Sequence, residues 1–189
     1  ARALVRHVHA GIRYVKRRAG RYGIDPARLA VTGVSSGGHL AALAAMHPES
    51  GHSLFGDEDS RVAAAALFFP PTDLTTLLLA RFQPGHDNPL PGQFLYNGGI
   101  ADRSQDEIDA RLREFSPRYR IPPSPPPFFL CHGTEDHVVP FRQSLDFASA
   151  LREAGGTAEV LPVEGAGHSW ADLRPQIEHA AAWLKKTLV

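Results

Sequence analysis

Apolar and polar positions along this chain follow two rhythms. Leu4, Val8, Ile12, Val15 and Ala19 recur at helical spacing, which predicts an amphipathic helix over 2–19 ending near Gly20 and Gly23. Short apolar runs predict strands at 28–32, 61–69, 128–131 and 157–163. Helical patterns between them predict helices over 36–46, stopped by Pro48, over 141–154, ended by Gly155 and Gly156, and over 172–187. Ser104-Gln105-Asp106-Glu107 has the order of a capping box, opening a helix with Ile108, Leu112 and Phe115 on one face. Residues 70–103 are rich in Gly and Pro and predict an irregular stretch, while 122–127 is a stiff, proline-rich lead-in to a strand. Strands separated by helices imply parallel pairing through right-handed crossovers. The expected fold class is therefore α/β: a mostly parallel sheet, four strands visible, with helices on both faces, in a single domain over 1–189 without internal repeats.

The first candidate chemistry lies where the strand at 28–32 passes into the helix at 36–46. Gly33-Val34-Ser35-Ser36-Gly37 is a G-x-S-x-G pentapeptide between Leu29-Ala30-Val31 and Leu40-Ala41-Ala42-Leu43. A serine at a sharp strand-to-helix turn sits in strained backbone with its hydroxyl lifted clear of the sheet end. Gly33 and Gly37 are expected to leave room for that turn, because a side chain at either would collide with the neighbouring strand or helix. A serine hydroxyl becomes a good nucleophile only when a base takes its proton and an acid holds that base. Two later strands end in loops carrying such groups: His132-Gly133-Thr134-Glu135-Asp136-His137-Val138-Val139-Pro140, and Glu164-Gly165-Ala166-Gly167-His168-Ser169-Trp170.

These segments carry a resemblance. GVSSGGHLAALAA, PPTDL, HGTEDHVVP and GAGHSW resemble the signatures of α/β-hydrolase-fold carboxylesterases, in the branch of acetylxylan- and feruloyl-esterase-like and hormone-sensitive-lipase-like enzymes, near the prolyl-oligopeptidase-type hydrolases. The likeness extends to YGIDPARLAV ahead of the serine and REFSPRY ahead of the acid strand. In that fold the order along the chain is Ser, then Asp or Glu, then His. The resemblance implies Ser35 as nucleophile, His168 as general base, Asp136 as the acid that orients it, and the Ser36 N–H as an oxyanion donor. It favours Asp136 over Glu135, and His168 over His132 or His137, which share the acid's loop. It implies no cofactor, a small-molecule ester as substrate, and an acyl-enzyme as intermediate; a prolyl-oligopeptidase-type amidase or an inactive binding module are the alternatives. Such esterases also carry a His-Gly-Gly motif upstream of the nucleophile, and none precedes Ser35. An N-terminally truncated piece of the fold, with only residual activity because donors of the oxyanion hole are missing, is the expectation. The strand at 28–32 would then be an open apolar edge, a place for pairing with a second copy.

Composition narrows the remaining readings. A chain of 189 residues, 43% hydrophobic and with zero formal net charge, suits one globular domain and lacks the basic footprint of a nucleic-acid binder. No apolar run approaches the ~18 residues of a membrane span, and the compartment stays open. The single cysteine, Cys131, lies in an apolar strand and reads as core filler. Ten histidines invite a metal reading, but His7 and His9 lie two apart on a helix and cannot face one another, and no metal ligands are assigned. His39 reads as structural, Asp73 as a turn cap, and Glu164 as solvated. Val139 and Trp170, beside the acid and base, are expected to line a substrate pocket; Phe82, Phe94, Leu95 and Tyr96 are weaker candidates.

Overall fold

The computed structural model describes residues 2–49, 58–78 and 103–189. In chain order these form α1 (Arg2–Arg17), α2 (Ala19–Tyr22), β1 (Ala30–Val34), α3 (Ser35–Met46), β2 (Ala64–Phe68), α4 (Leu74–Leu78), α5 (Gln105–Glu114), β3 (Phe128–Gly133), α6 (Arg142–Glu153), β4 (Ala158–Val163) and α7 (Arg174–Thr187). Phe82, Phe94, Leu95 and Tyr96 lie outside the described residues.

The strands form one parallel sheet in the order β1-β2-β3-β4, each pairing with the next in sequence. Alternation along the strands sends side chains to two separate cores. Ala65 and Leu67 of β2, with Phe128 and Leu130 of β3, pack against Ala41, Ala42 and Ala45 of α3 and Phe147, Ala148 and Leu151 of α6. Ala66, Phe68, Phe129 and Cys131 face the other way, onto Ala180, Trp183 and Leu184 of α7. The central strands β2 and β3 are buried along their whole length, as expected of parallel strands covered on both faces. Each of their fully buried large side chains removes enough apolar surface to contribute about 1.5–3 kcal/mol.

Helix α3 is buried on nearly every side, because its outer face meets a further cluster in which Leu43 touches Leu74, Ile108, Leu112 and Phe115. The capping box forms as its spacing predicts. Glu107 Oε2 accepts the Ser104 N–H at 2.9 Å, and Ser104 Oγ accepts the Glu107 N–H at 3.3 Å. Ile108, Leu112 and Phe115 thereby turn inward.

The stripe expected on α1 is half-buried at Val8, Ile12 and Val15, and Ala19 just beyond it is buried, but two polar residues of the helix go deeper. Its buried residues are His9 and Arg13, while Leu4 is exposed. Arg13 is drawn in because its guanidinium donates to the Glu58 carbonyl at 3.1 Å and the Glu49 carbonyl at 2.9 Å, satisfying both ends of the described chain between α3 and β2. The apolar stripe of Val8, Ile12 and Val15 instead lines a groove of about 270 Å³ with Leu29, Ala30 and Val62. On the opposite face, Thr32, Val34 and Phe68 share a groove of about 420 Å³ with Leu173, Ile177 and Leu184. Between these grooves β1 has no strand on its outer side among the described residues. No helix among the described residues is long and apolar enough to cross a membrane.

Candidate active site

Ser35 is the first residue of α3, directly after β1, and its backbone is in the left-handed region at φ 48°. For a non-glycine residue that conformation costs on the order of 1–3 kcal/mol and needs firm support around it. Gly33 permits the corner: a Cβ there would lie 2.4 Å from the Gly37 carbonyl oxygen. Gly37 does not have the packing role expected of it, since a Cβ at that position meets nothing within 4 Å. The close neighbour is instead Gly38, where a Cβ would come within 3.1 Å of both the Gly33 carbonyl oxygen and Pro70.

Ser35 Oγ lies 2.8 Å from His168 Nε2, and His168 Nδ1 lies 2.8 Å from Asp136 Oδ2. The pair in register at the ends of β3 and β4, Gly133 and Val163, launches the loops that carry Asp136 and His168. Those loops are stitched together by the Thr134 N–H donating to the Val163 carbonyl at 3.0 Å and the Glu135 N–H to the Ala166 carbonyl at 2.9 Å. Gly133 is required for that approach, because a Cβ there would sit 2.3 Å from the Ala166 carbonyl oxygen. Serine, histidine and aspartate are therefore joined from three different strand ends.

Asp136 is buried, and its carboxylate is fully engaged. Oδ1 accepts the N–H groups of Val138 and Val139, each at 2.8 Å, while Oδ2 accepts from His168 and from His132 at 3.1 Å. Burial works to raise its pKa, but the hydrogen bonds from Val139, His168 and Val138 outweigh it and hold the carboxyl below its ordinary range. It is thus an anion beside His168, fixing the proton on Nδ1 and leaving the Nε2 lone pair toward Ser35. That geometry can take a proton from the serine hydroxyl.

The rival candidates fall elsewhere. Glu135 and His137 are exposed, and neither bonds to His168. Glu164 is exposed too, accepting a long bond from Thr134 Oγ1 at 3.4 Å. Asp73 caps the start of α4, where Oδ1 accepts the Thr75 N–H at 2.9 Å. His39 is buried with Nδ1 3.0 Å from the Pro71 carbonyl oxygen, and burial pushes its pKa down to about 4, so it is a neutral tie between α3 and the segment after β2. Burial pushes the Cys131 thiol up to about 12, leaving it inert core.

Of the expected pocket residues, Trp170 is half-buried with its ring 5.6 Å from Phe69. Val139, expected beside it, has its side chain buried and meets the site through its backbone, giving an N–H to Asp136 and a carbonyl to His132. Sequence reasoning missed Phe69 and Ser144, and it weighed His132 only as a rival base. Phe69, itself at φ 40°, places its ring edge against His168 at 4.9 Å. His132 and Ser144 lie behind Asp136, 2.7 Å from one another. The period-two pattern of β3, which puts residue 132 on the face of Phe128 and Leu130, is the signal that could have pointed to them.

A serine at a strained corner after a parallel strand, with an acid and a histidine on the loops after later strands, defines an α/β-hydrolase fold. The same architecture recurs in a truncated form of a carbohydrate esterase from gut microbiota, with a TM-score of 0.76 and 25% identity over 97% of this chain and 68% of that one. A thermophilic esterase of Thermogutta terrifontis, solved with butyrate bound, matches with a TM-score of 0.65 and 30% identity over 97% of this chain and 61% of that one. Residues 1–151 match the BD-FAE family model, and the chain belongs to that family. Esterase LipQ of Mycobacterium tuberculosis is 34% identical over 166 residues, 86% of this chain but 38% of that protein, so the chain spans well under half the length of this relative.

Proposed function

We propose that the protein is a carboxylic ester hydrolase in which Ser35 is the nucleophile, His168 the general base and acid, and Asp136 the group that orients and stabilises His168. The observation that carries this reading is the unbroken chain of hydrogen bonds from Ser35 Oγ through His168 to Asp136, each link 2.8 Å. Oγ attacks the ester carbonyl carbon as its proton passes to Nε2. The tetrahedral intermediate collapses, the C–O bond to the alcohol breaks, and the alcohol leaves with the proton from Nε2. Water then adds to the acyl-enzyme with the same base, releasing the acid and restoring Ser35. The oxyanion is received by the Ser36 N–H at the start of α3, where no side chain caps the helix and the first-turn N–H groups have no partner within it.

The rings of Phe69 and Trp170, 5.6 Å apart with Phe69 against His168, offer an apolar wall for the acyl group. A short acyl chain or an acetyl or aryl ester on a sugar is the substrate class proposed, supported by the butyrate of the Thermogutta esterase and the carbohydrate esterase named above. The outer edge of β1 gives the chain a surface for pairing with a second copy.

A fluorophosphonate probe should label Ser35 alone, and Ser35→Ala should abolish both labelling and hydrolysis of p-nitrophenyl acetate. Full hydrolysis after Ser35→Ala would refute the reading. Turnover of a chromogenic peptide in preference to the ester would replace the substrate class with amides.

A further inference from the structure

Beyond Leu130, β3 turns His132 toward α6, where it is fully buried. Its Nε2 lies 2.8 Å from the Val139 carbonyl oxygen and 3.1 Å from Asp136 Oδ2. Both partners are acceptors, so Nε2 carries the proton and donates to both. Nδ1, 2.7 Å from Ser144 Oγ, then accepts a hydrogen bond from the serine hydroxyl. Asp136 Oδ2 consequently receives two imidazole N–H groups, one from each histidine.

We propose that His132, oriented by Ser144, is a positioning residue for the triad: its N–H fixes Oδ2 against His168 and draws off part of the carboxylate's charge, limiting the basicity that Asp136 confers on His168. This rests on the reading of Ser35, His168 and Asp136 as a triad. The physical basis is competition at one oxygen. A hydrogen bond to the ionised carboxylate stabilises that charge, so removing the bond leaves more charge to stabilise the imidazolium of His168. His132 does not supply a positive charge of its own. Burial lowers its pKa, and the opposing bonds to Val139 and Asp136 do not make up the difference. Among the described residues, His132 and His168 are the titratable groups bonded to this oxygen. Glu135 and His137 are exposed, the Cys131 thiol is neutral, and the rings of Phe69 and Phe141 stand 6.5 Å and 5.7 Å from His132 without charge.

The test compares His132→Phe, which keeps an aromatic ring and removes the donor, with His132→Gln, whose amide N–H reaches the place of Nε2. Two quantities are read: the pKa of His168 by NMR on protein labelled with ¹⁵N-histidine, and the acid limb of kcat/KM for p-nitrophenyl acetate against pH. His132→Phe is expected to raise both by about half to one unit. Its kcat should fall about tenfold with KM unchanged. Gln should return both quantities toward wild type, and Ser144→Ala should shift them slightly in the direction of Phe. A folded His132→Phe protein in which neither moves overturns the inference, as does Gln moving them as far as Phe. Should His132→Phe fail to fold, an unmoved His168 pKa in Ser144→Ala overturns it. Full turnover by Ser35→Ala overturns the triad reading and the inference with it. That outcome is distinct, because the others are read on the His168 pKa, which needs no turnover.

Discussion

Asp136→Asn is a discriminating perturbation because asparagine has no good orientation in this site. The carboxylate accepts from Val138 and Val139 on one oxygen and from His168 and His132 on the other. If the amide NH₂ faces the backbone, it opposes the N–H groups of half-exposed Val138 and buried Val139, and the buried donor left unsatisfied costs about 1–3 kcal/mol. If it faces the histidines, His132 keeps its bond to the Val139 carbonyl, but His168 must move its proton from Nδ1 to Nε2. The nitrogen that faces Ser35 Oγ at 2.8 Å then donates and can no longer accept. The second orientation costs less folding energy and removes the base. We expect kcat for p-nitrophenyl acetate to fall ~10⁴-fold, about 5 kcal/mol in barrier, with little change in KM. Stability in urea should drop by about 1–3 kcal/mol while the circular dichroism spectrum is kept. Glu135→Gln, on the same loop but exposed, should be nearly silent. An Asp136→Asn protein within tenfold of wild-type kcat would refute the assignment.

Three further outcomes follow from the same geometry. His39 is buried with its pKa pushed down to about 4, so the unfolded chain binds a proton below about 6.5 that the folded chain does not. Stability is thus complete above about pH 6.5 and lost as pH falls toward 4; urea titrations should give about 2 kcal/mol less at about pH 5 than at about pH 7, and no decline would contradict this. Gly133→Ala places a Cβ 2.3 Å from the Ala166 carbonyl oxygen and must push the base loop away from Asp136. It should cost ~10²-fold or more in kcat/KM, and wild-type activity would show that the loop spacing does not matter. With no strand beyond β1 among the described residues, the chain should self-associate in size-exclusion chromatography; a well-behaved, cooperatively folding monomer at all concentrations would count against pairing through that edge.

The elements were readable because apolar rhythm and punctuation agreed, and the disagreements have local causes. The strand expected at 28–32 begins at Ala30, because Pro26–Arg28 form a 3-10 turn in which Asp25 Oδ1 accepts the Ala27 N–H at 2.9 Å. The strand expected from 61 begins at Ala64, because Asp59 takes the Arg61 N–H at 2.9 Å and holds the chain in a turn. The stripe on α1 held from Val8 to Ala19 but missed the deeper polar pair, His9 and Arg13. Periodicity counts apolar side chains, whereas Arg13 was buried by backbone carbonyls that become its partners only in the folded chain. At the site, Ser35 has its own marker in the pentapeptide, whereas the ends of β3 and β4 with the loops after them offer Glu135, Asp136 and Glu164 and three histidines, and the family resemblance singled out Asp136 and His168 as the candidates. Adjacency to the acid did not reveal that Val139 meets the site through its backbone. Phe69 could not be found, because its contact with His168 depends on a positive φ that sequence does not signal.

The end of β3 explains how so compact a segment organises the site. Adjacent residues on a strand face opposite sides of the sheet. His132 goes to the α6 side, where Ser144 and the Val139 carbonyl fix its ring behind Asp136. Gly133, the next residue, leaves the backbone bare so that Ala166 and Gly167 of the base loop can approach. Reversing the two would put an imidazole into the base loop and leave Asp136 Oδ2 with one donor instead of two. The strand end thus does more than supply the acid. It sets the distance from acid to base through Gly133 and restrains the acid from behind through His132, and a change at either should alter turnover with Ser35 and its corner intact.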